Sequence, residues 1–194
     1  KKLGFKNTWV LNSKKDLKIK DKNHNLETIQ DRISKISKRK IIIKKKLADI
    51  FIARHILEHT YSTIDFINSL QSMINNNGYL VVEVPDCENS LKNSDYAMLW
   101  EEHLFYFTEN SLKKLFLENG YEIKYFERYR YSYENVLIII LKKKTNYKLK
   151  SIKIKKPLIN FSFKKLKKDQ TLIYNKIKKI VHKGYKVCLF GTGH

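Results

Sequence analysis

Ala48-Asp-Ile-Phe-Ile-Ala-Arg-His-Ile-Leu-Glu-His59 decides how this sequence is read, together with Gly78-Tyr-Leu-Val-Val-Glu-Val-Pro-Asp86 and Trp100-Glu-Glu-His-Leu-Phe-Tyr-Phe-Thr108. The first two are short apolar runs that end in polar residues. Such runs read as buried parallel strands, and open α/β sheets take their ligands at the carboxyl ends of those strands. The third stretch sets a Glu-His pair just beyond the second strand, among aromatic residues. Each fragment alone is common; the order carries the information.

Outward from these stretches the pattern stays sharp as far as residue 141. Residues 49–53 read as a strand. Ile64, Ile67, Leu70, Met73 and Ile74 then recur at helical spacing, which predicts a helix over 62–75 that Asn77-Gly78 stops. Residues 79–84 form the next buried strand, closed by Pro85. Thr108 is placed to cap a helix, with Glu109 in its first turn; Leu112, Leu115 and Phe116 make the buried stripe, and Asn119-Gly120 ends it. Residues 121–129 and 135–141 read as two strands joined by five residues. So short a link closes a hairpin and excludes a parallel crossover.

The ends of the chain are less regular. Residues 7–11 read as a short strand and 29–36 as a strand or short helix, while Ile41-Ile-Ile43 stands between basic clusters. After residue 142 a lysine-rich linker leads to a helix over 163–182, then a strand over 185–190 that runs into Gly191-Thr-Gly-His194. A strand followed by Gly-x-Gly opens many phosphate-binding loops, and a plain tight turn explains the same residues.

Composition bounds the class. The 194 residues are 42% hydrophobic, enough for a globular domain with a substantial core. No apolar run approaches the ~18 residues of a membrane span, and the basic start is not followed by an apolar signal-peptide segment. Cys87 and Cys188 lie far apart without metal-ligand spacing. The chain therefore reads as cytoplasmic, with no membrane partner. Its formal net charge of +21 invites a nucleic-acid reading, yet only five of its 40 basic residues are arginines. Specific recognition of phosphates and bases favours arginine's rigid fork. Lysine here accompanies abundant Asn and Ile, the signature of an AT-rich genome on a solvated surface, so nucleic acid is not the expected partner. The tyrosines over 121–133, interleaved with Arg128 and Arg130, fit a half-buried hairpin better than a base-stacking platform.

Taken in order, the three stretches resemble the second half of a class I S-adenosylmethionine-dependent methyltransferase. The nearest likeness is to the C-methyltransferases of nucleotide-linked keto sugars. That subgroup carries Tyr-His-Glu-His followed by an aromatic pair. This chain has Trp100-Glu101-Glu102-His103, then Phe105-Tyr106-Phe107. The Glu-His core is kept, whereas Trp100 replaces a tyrosine and Glu101 a histidine.

The resemblance implies an α/β fold: an incomplete doubly wound, Rossmann-like methyltransferase sheet over 1–142, a linker over 143–158, and the start of a second Rossmann-like domain over 159–194. It implies S-adenosyl-L-methionine as cofactor, with Arg54 and His55 edging the cofactor cleft. Asn12 stands where the family has an acid on the ribose hydroxyls, provided that residues 6–11 are the second strand. His103 is the implied general base, removing a proton beside a ketone, with Glu102 in support. An imidazole suits that task because its ordinary pKa is near 6.5. Asp86, Trp100 and Tyr106 fall on the side of a small-molecule substrate, a nucleotide sugar in the resembled subgroup. No strand with Gly-x-Gly-x-Gly precedes Asp49, so the sequence reads as a fragment that folds poorly and binds cofactor weakly alone. The family's zinc-binding segment is also missing, and no metal is expected.

Competing readings attach to particular residues. His55-x-x-Glu58-His59 matches the inverted zinc-protease motif, but that motif needs both histidines on one helix, and here a strand runs into His55. His59 reads as a structural, hydrogen-bonded residue. Glu83, a carboxylate inside a buried strand, is either a structural partner or a substrate contact. Trp100, Asn12 and the missing glycine loop favour a non-catalytic, methyltransferase-like binding module. A basic nucleic-acid binder would instead show steeply salt-dependent binding. The sequence does not define an oligomeric state.

Overall fold

The computed structural model describes residues 7–20, 33, 46–95, 98–99, 102–131, 134–145 and 163–188. The chain divides into two compact units, Lys1–Glu88 with Leu99–Pro157, and Asn89–Met98 with Leu158–His194.

The first unit is a mixed α/β structure built on a four-stranded sheet. Its strands are β1 (Ala48–Arg54), β2 (Ile74–Pro85), β3 (Tyr121–Arg130) and β4 (Asn135–Lys143), in the spatial order β1-β2-β4-β3. β1 and β2 run parallel, with Arg54 opposite Glu83; β4 is antiparallel to both β2 and β3. The parallel pair is joined through a 3-10 turn (Leu57–His59) and helix α1 (Thr63–Gln71). Helix α2 (Glu88–Asn93) follows β2 in the chain and, from Asn89 on, belongs to the second unit; helix α3 (Glu109–Glu118) precedes the β3–β4 hairpin of the first.

Local chemistry explains the helix ends. The Ser62 hydroxyl accepts the backbone N–H of Asp65 and starts α1. Thr108 and Ser111 close a reciprocal capping box on α3, and Gly120 leaves that helix at φ +81°. Phe66, Ile67 and Leu70 of α1 and Leu112 and Phe116 of α3 are buried in one core with Leu80, Val82 and Val84 of β2 and Leu137, Ile139 and Leu141 of β4. Each such side chain contributes about 1.5–3 kcal/mol by leaving water.

Several expectations need correction. α1 ends at Gln71, and β2 begins at Ile74, ahead of Asn77-Gly78. Met73 and Ile74 are buried as helical spacing required, but as the entry to the sheet. Gly78 lies inside β2 for a steric reason. A Cβ there would stand 2.8 Å from the Asp49 carbonyl oxygen and 3.0 Å from that of Ala48. β1 is not a buried strand: Ile50 and Ile52 are 50% and 59% exposed. Residues 8–11 form no ladder, having no strand neighbour among the described residues, although Trp9 and Leu11 pack against the core. Of the element expected over 29–36 only Ile33 is described, as a buried helical residue; Ile41-Ile-Ile43 lies outside the described residues.

In the second unit, helix α4 (Phe163–His182) has its expected bounds. Residues 185–188 form no strand, again without a strand neighbour among the described residues, and Gly191-Thr-Gly-His194 lies outside them. Among the described residues no helix is long and apolar enough to cross a membrane.

Candidate active site at the strand ends

The carboxyl ends of β1 and β2 bring three polar side chains together. Arg54 and Glu83 face each other in register, and the guanidinium grips the carboxylate through two hydrogen bonds of 2.8 Å, from Nε to Oε2 and from Nη2 to Oε1. His55 follows, with its backbone N–H donating to the Glu83 carbonyl at 2.9 Å and its Nε2 3.0 Å from Glu83 Oε1. This placement requires a left-handed backbone at His55, φ +47°. The Arg54 hydrogen bonds hold the Glu83 carboxyl below the usual carboxylate range, against the opposing effect of burial. Of the two roles open to Glu83, the geometry places it as a structural partner.

Beyond His55 the chain turns into the Leu57–His59 segment, whose three residues are all buried. His55 Nδ1 lies 3.6 Å from Glu58 Oε1, and His59 Nε2 lies 3.9 Å from the same oxygen. Glu58, followed by Glu83, raises the His55 pKa against the effect of burial. Glu58 itself is 1% exposed, and neither carboxylate oxygen has a hydrogen-bond partner.

The 102–105 loop is pinned onto this turn. The backbone N–H groups of Leu104 and Phe105 donate to the Glu58 carbonyl at 2.9 and 3.0 Å, and His59 Nδ1 donates to the Glu102 carbonyl at 2.9 Å. His59 thus has the hydrogen-bonded role its position implied. The pinning brings His103 edge-on to His59, ring centroids 4.7 Å apart, with the Tyr106 ring 6.2 Å from His103. Burial, and then His59, lower the His103 pKa, which favours the neutral imidazole. A neutral imidazole in a half-buried position can accept a proton or ligate a cation.

The remaining expected residues are placed as follows. Glu102 is exposed and meets His59 through its backbone rather than its carboxylate. Asp86 is turned inward: its Oδ2 lies 2.6 Å from Arg128 Nε, and its Oδ1 accepts the Glu88 N–H at 3.1 Å. Its neighbour Cys87 is buried, and burial with the Asp86 charge pushes the thiol pKa up to about 12. Asn12 closes a local turn, its Oδ1 accepting the Lys15 N–H at 2.8 Å. Trp100 lies outside the described residues. Sequence reasoning missed Glu58 as the residue on which the cluster converges. The signal available was a carboxylate between two histidines at the end of an apolar strand.

Among solved structures the chain is similar to magnesium protoporphyrin IX methyltransferase from Synechocystis PCC 6803 with bound SAH. The identity is 14% and the TM-score 0.42, over 58% of this chain and 48% of that one. It is similar to a SAM-dependent methyltransferase from Anabaena variabilis ATCC 29413, with 14% identity and a TM-score of 0.41 over 61% of this chain and 56% of that one. The LepI complex with SAM matches at 11% identity and a TM-score of 0.38, over 50% of this chain and 27% of that one. The chain thus spans between about a quarter and just over half the length of these structures. No curated protein matches it. The family model described as a methyltransferase domain matches residues 5–125, which contain β1, β2 and the whole Glu58–His59–His103 cluster; the chain belongs to that methyltransferase family.

Proposed function

We propose that this chain is the acceptor-side part of an S-adenosyl-L-methionine-dependent methyltransferase acting on a small organic molecule. The observation that carries the reading is the convergence of Arg54, His55, Glu83, His59 and His103 at the carboxyl ends of two parallel strands, inside a stretch that belongs to the methyltransferase family. The side chains of Arg54 and His55 are 61% and 39% exposed, so N–H donors remain accessible at the β1 end, as a ribose or carboxylate requires. Asn12 is the third proposed cofactor contact. When bound, the cofactor supplies a methyl group on a cationic sulfur.

In the finer form of this reading, the acceptor is a carbon beside the ketone of a nucleotide-linked sugar. His103 would take the proton from that carbon at its ring nitrogen, leaving a carbanion to which the bound cofactor would supply its methyl group, the sulfur departing as a neutral thioether. Its lowered pKa keeps the imidazole ready to receive a proton near neutral pH. Glu102, Asp86, Trp100 and Tyr106 complete the proposed acceptor side, and residues 1–142 the proposed methyltransferase part. Residues 159–194 then open a second Rossmann-like domain after a linker. Cytoplasmic location belongs to the same proposal.

Calorimetric titration of S-adenosylhomocysteine into the full-length protein tests the cofactor. Saturable binding is expected, and its absence sinks the reading. His103→Ala is expected to abolish turnover while sparing that binding; near-normal turnover removes His103 from the chemistry.

A further inference from the structure

We propose that Glu58, His59 and His103 form a binding site for a divalent transition-metal ion of the zinc class. Carboxylate and imidazole atoms of the three residues lie within 4.8 Å of one another, and Glu58 and His59 are buried. The Glu58 carboxylate is the anomaly to be explained. It is 1% exposed, both of its oxygens lack a hydrogen-bond partner, and a buried carboxylate in that condition is costly.

His59 sharpens the argument. Its Nδ1–H donates to the Glu102 carbonyl, so in the neutral ring the lone pair is on Nε2, 3.9 Å from Glu58 Oε1. A cation bound beside that nitrogen would supply the partner that both Glu58 oxygens lack. Ligands of one tetrahedral zinc ion at ordinary bond lengths stand about 3.4 Å apart, so small side-chain movements close this arrangement. A backbone carbonyl on the far nitrogen is the partner that fixes ring orientation in metal-ligating histidines. Two imidazoles and one carboxylate suit zinc, cobalt or nickel better than calcium or magnesium. His103 is half-buried and opens the cluster toward solvent.

This set differs from His55-x-x-Glu58-His59. His55 Nε2 is held by Glu83 while its Nδ1 lies 3.6 Å from Glu58 Oε1, so His55 borders the cluster as a charge partner of Glu58, and the third ligand comes from the 102–105 loop. The site shares His103 with the proposed methyl transfer. The His103 nitrogen has one lone pair, for which an ion and the proton of a base mechanism compete, so the decisive readout is binding rather than turnover.

The test is titration of zinc chloride into the chelator-treated chain in a non-coordinating buffer. One tight equivalent is expected. Glu58→Gln and His59→Asn should each weaken it at least about tenfold, while His182→Asn, on the exposed end of α4, should leave it unchanged. Absence of stoichiometric binding, or undiminished affinity in both site variants, overturns the site. Should circular dichroism show that the variants do not fold, zinc K-edge absorption of the wild-type complex decides. A shell of nitrogen and oxygen with two imidazoles is expected, and a sulfur ligand overturns it.

Discussion

Glu83 and Glu58 approach His55 from opposite sides, 3.0 Å from its Nε2 and 3.6 Å from its Nδ1, and both are buried. The region around Glu83 is saturated: a guanidinium fork and an imidazole hold one carboxylate at hydrogen-bond distance. The region around Glu58 contains imidazoles on two sides and no hydrogen bond to either carboxylate oxygen. The first arrangement is what a sheet uses to lock two strand ends. The second leaves a buried carboxylate with imidazoles nearby but no hydrogen bond, which costs stability as it stands. That difference is what the proposed metal site would account for.

The severest way to break the comparison is to remove the frame on which both carboxylates depend. Gly78→Val puts a side chain against the Asp49 and Ala48 carbonyls. It should separate β1 from β2, at a cost of about 2–3 kcal/mol in urea unfolding. Next in size, Glu83→Leu strips Arg54 and His55 of their shared acceptor. A loss of about 2 kcal/mol is expected, moderated because the Arg54 side chain is 61% exposed and can return to water. Glu58→Gln should behave in the opposite sense. Without metal it should leave stability unchanged or raise it by about 1 kcal/mol, since a buried charge without hydrogen bonds is removed. The melting temperature of the wild type should then rise with added zinc, and that of Glu58→Gln should not.

The smallest effect sharpens the comparison through pH. The folded pKa of Glu83 lies below its ordinary 4.5, so its stabilisation is complete above about that pH and is lost as pH falls through the folded value. Wild-type stability should decline across that acid range more steeply than that of Glu83→Gln, as thermal unfolding at stepped pH would show.

Much of the fold could be read from periodicity and caps. The hairpin, the Thr108 cap, the Leu112–Phe116 stripe and the bounds of α4 follow from local chemistry, and the structure keeps them. The end of α1 could not be read. Met73 and Ile74 satisfy helical spacing and strand burial equally, and the demand on Gly78 comes from carbonyls nearly thirty residues upstream. The polar strand ends were legible for the same reason as the strands. The partners of Glu58 were not. His103 reaches His59 only because Leu104 and Phe105 donate to the Glu58 carbonyl, a tertiary contact across more than forty residues. Nothing near Asp86 in the sequence announces its ion pair with Arg128.

β1 also governs how the unit breathes. β4 has strand neighbours on both sides, and Leu137, Ile139 and Leu141 are fully buried; β1 pairs with β2 alone among the described residues, and half-exposes Ile50 and Ile52. Its outward amides should therefore exchange with deuterated solvent through local fraying, while those of β4 wait for global opening. Arg54 and His55 end that fraying strand, so a ligand held there should register first as slowed exchange along β1.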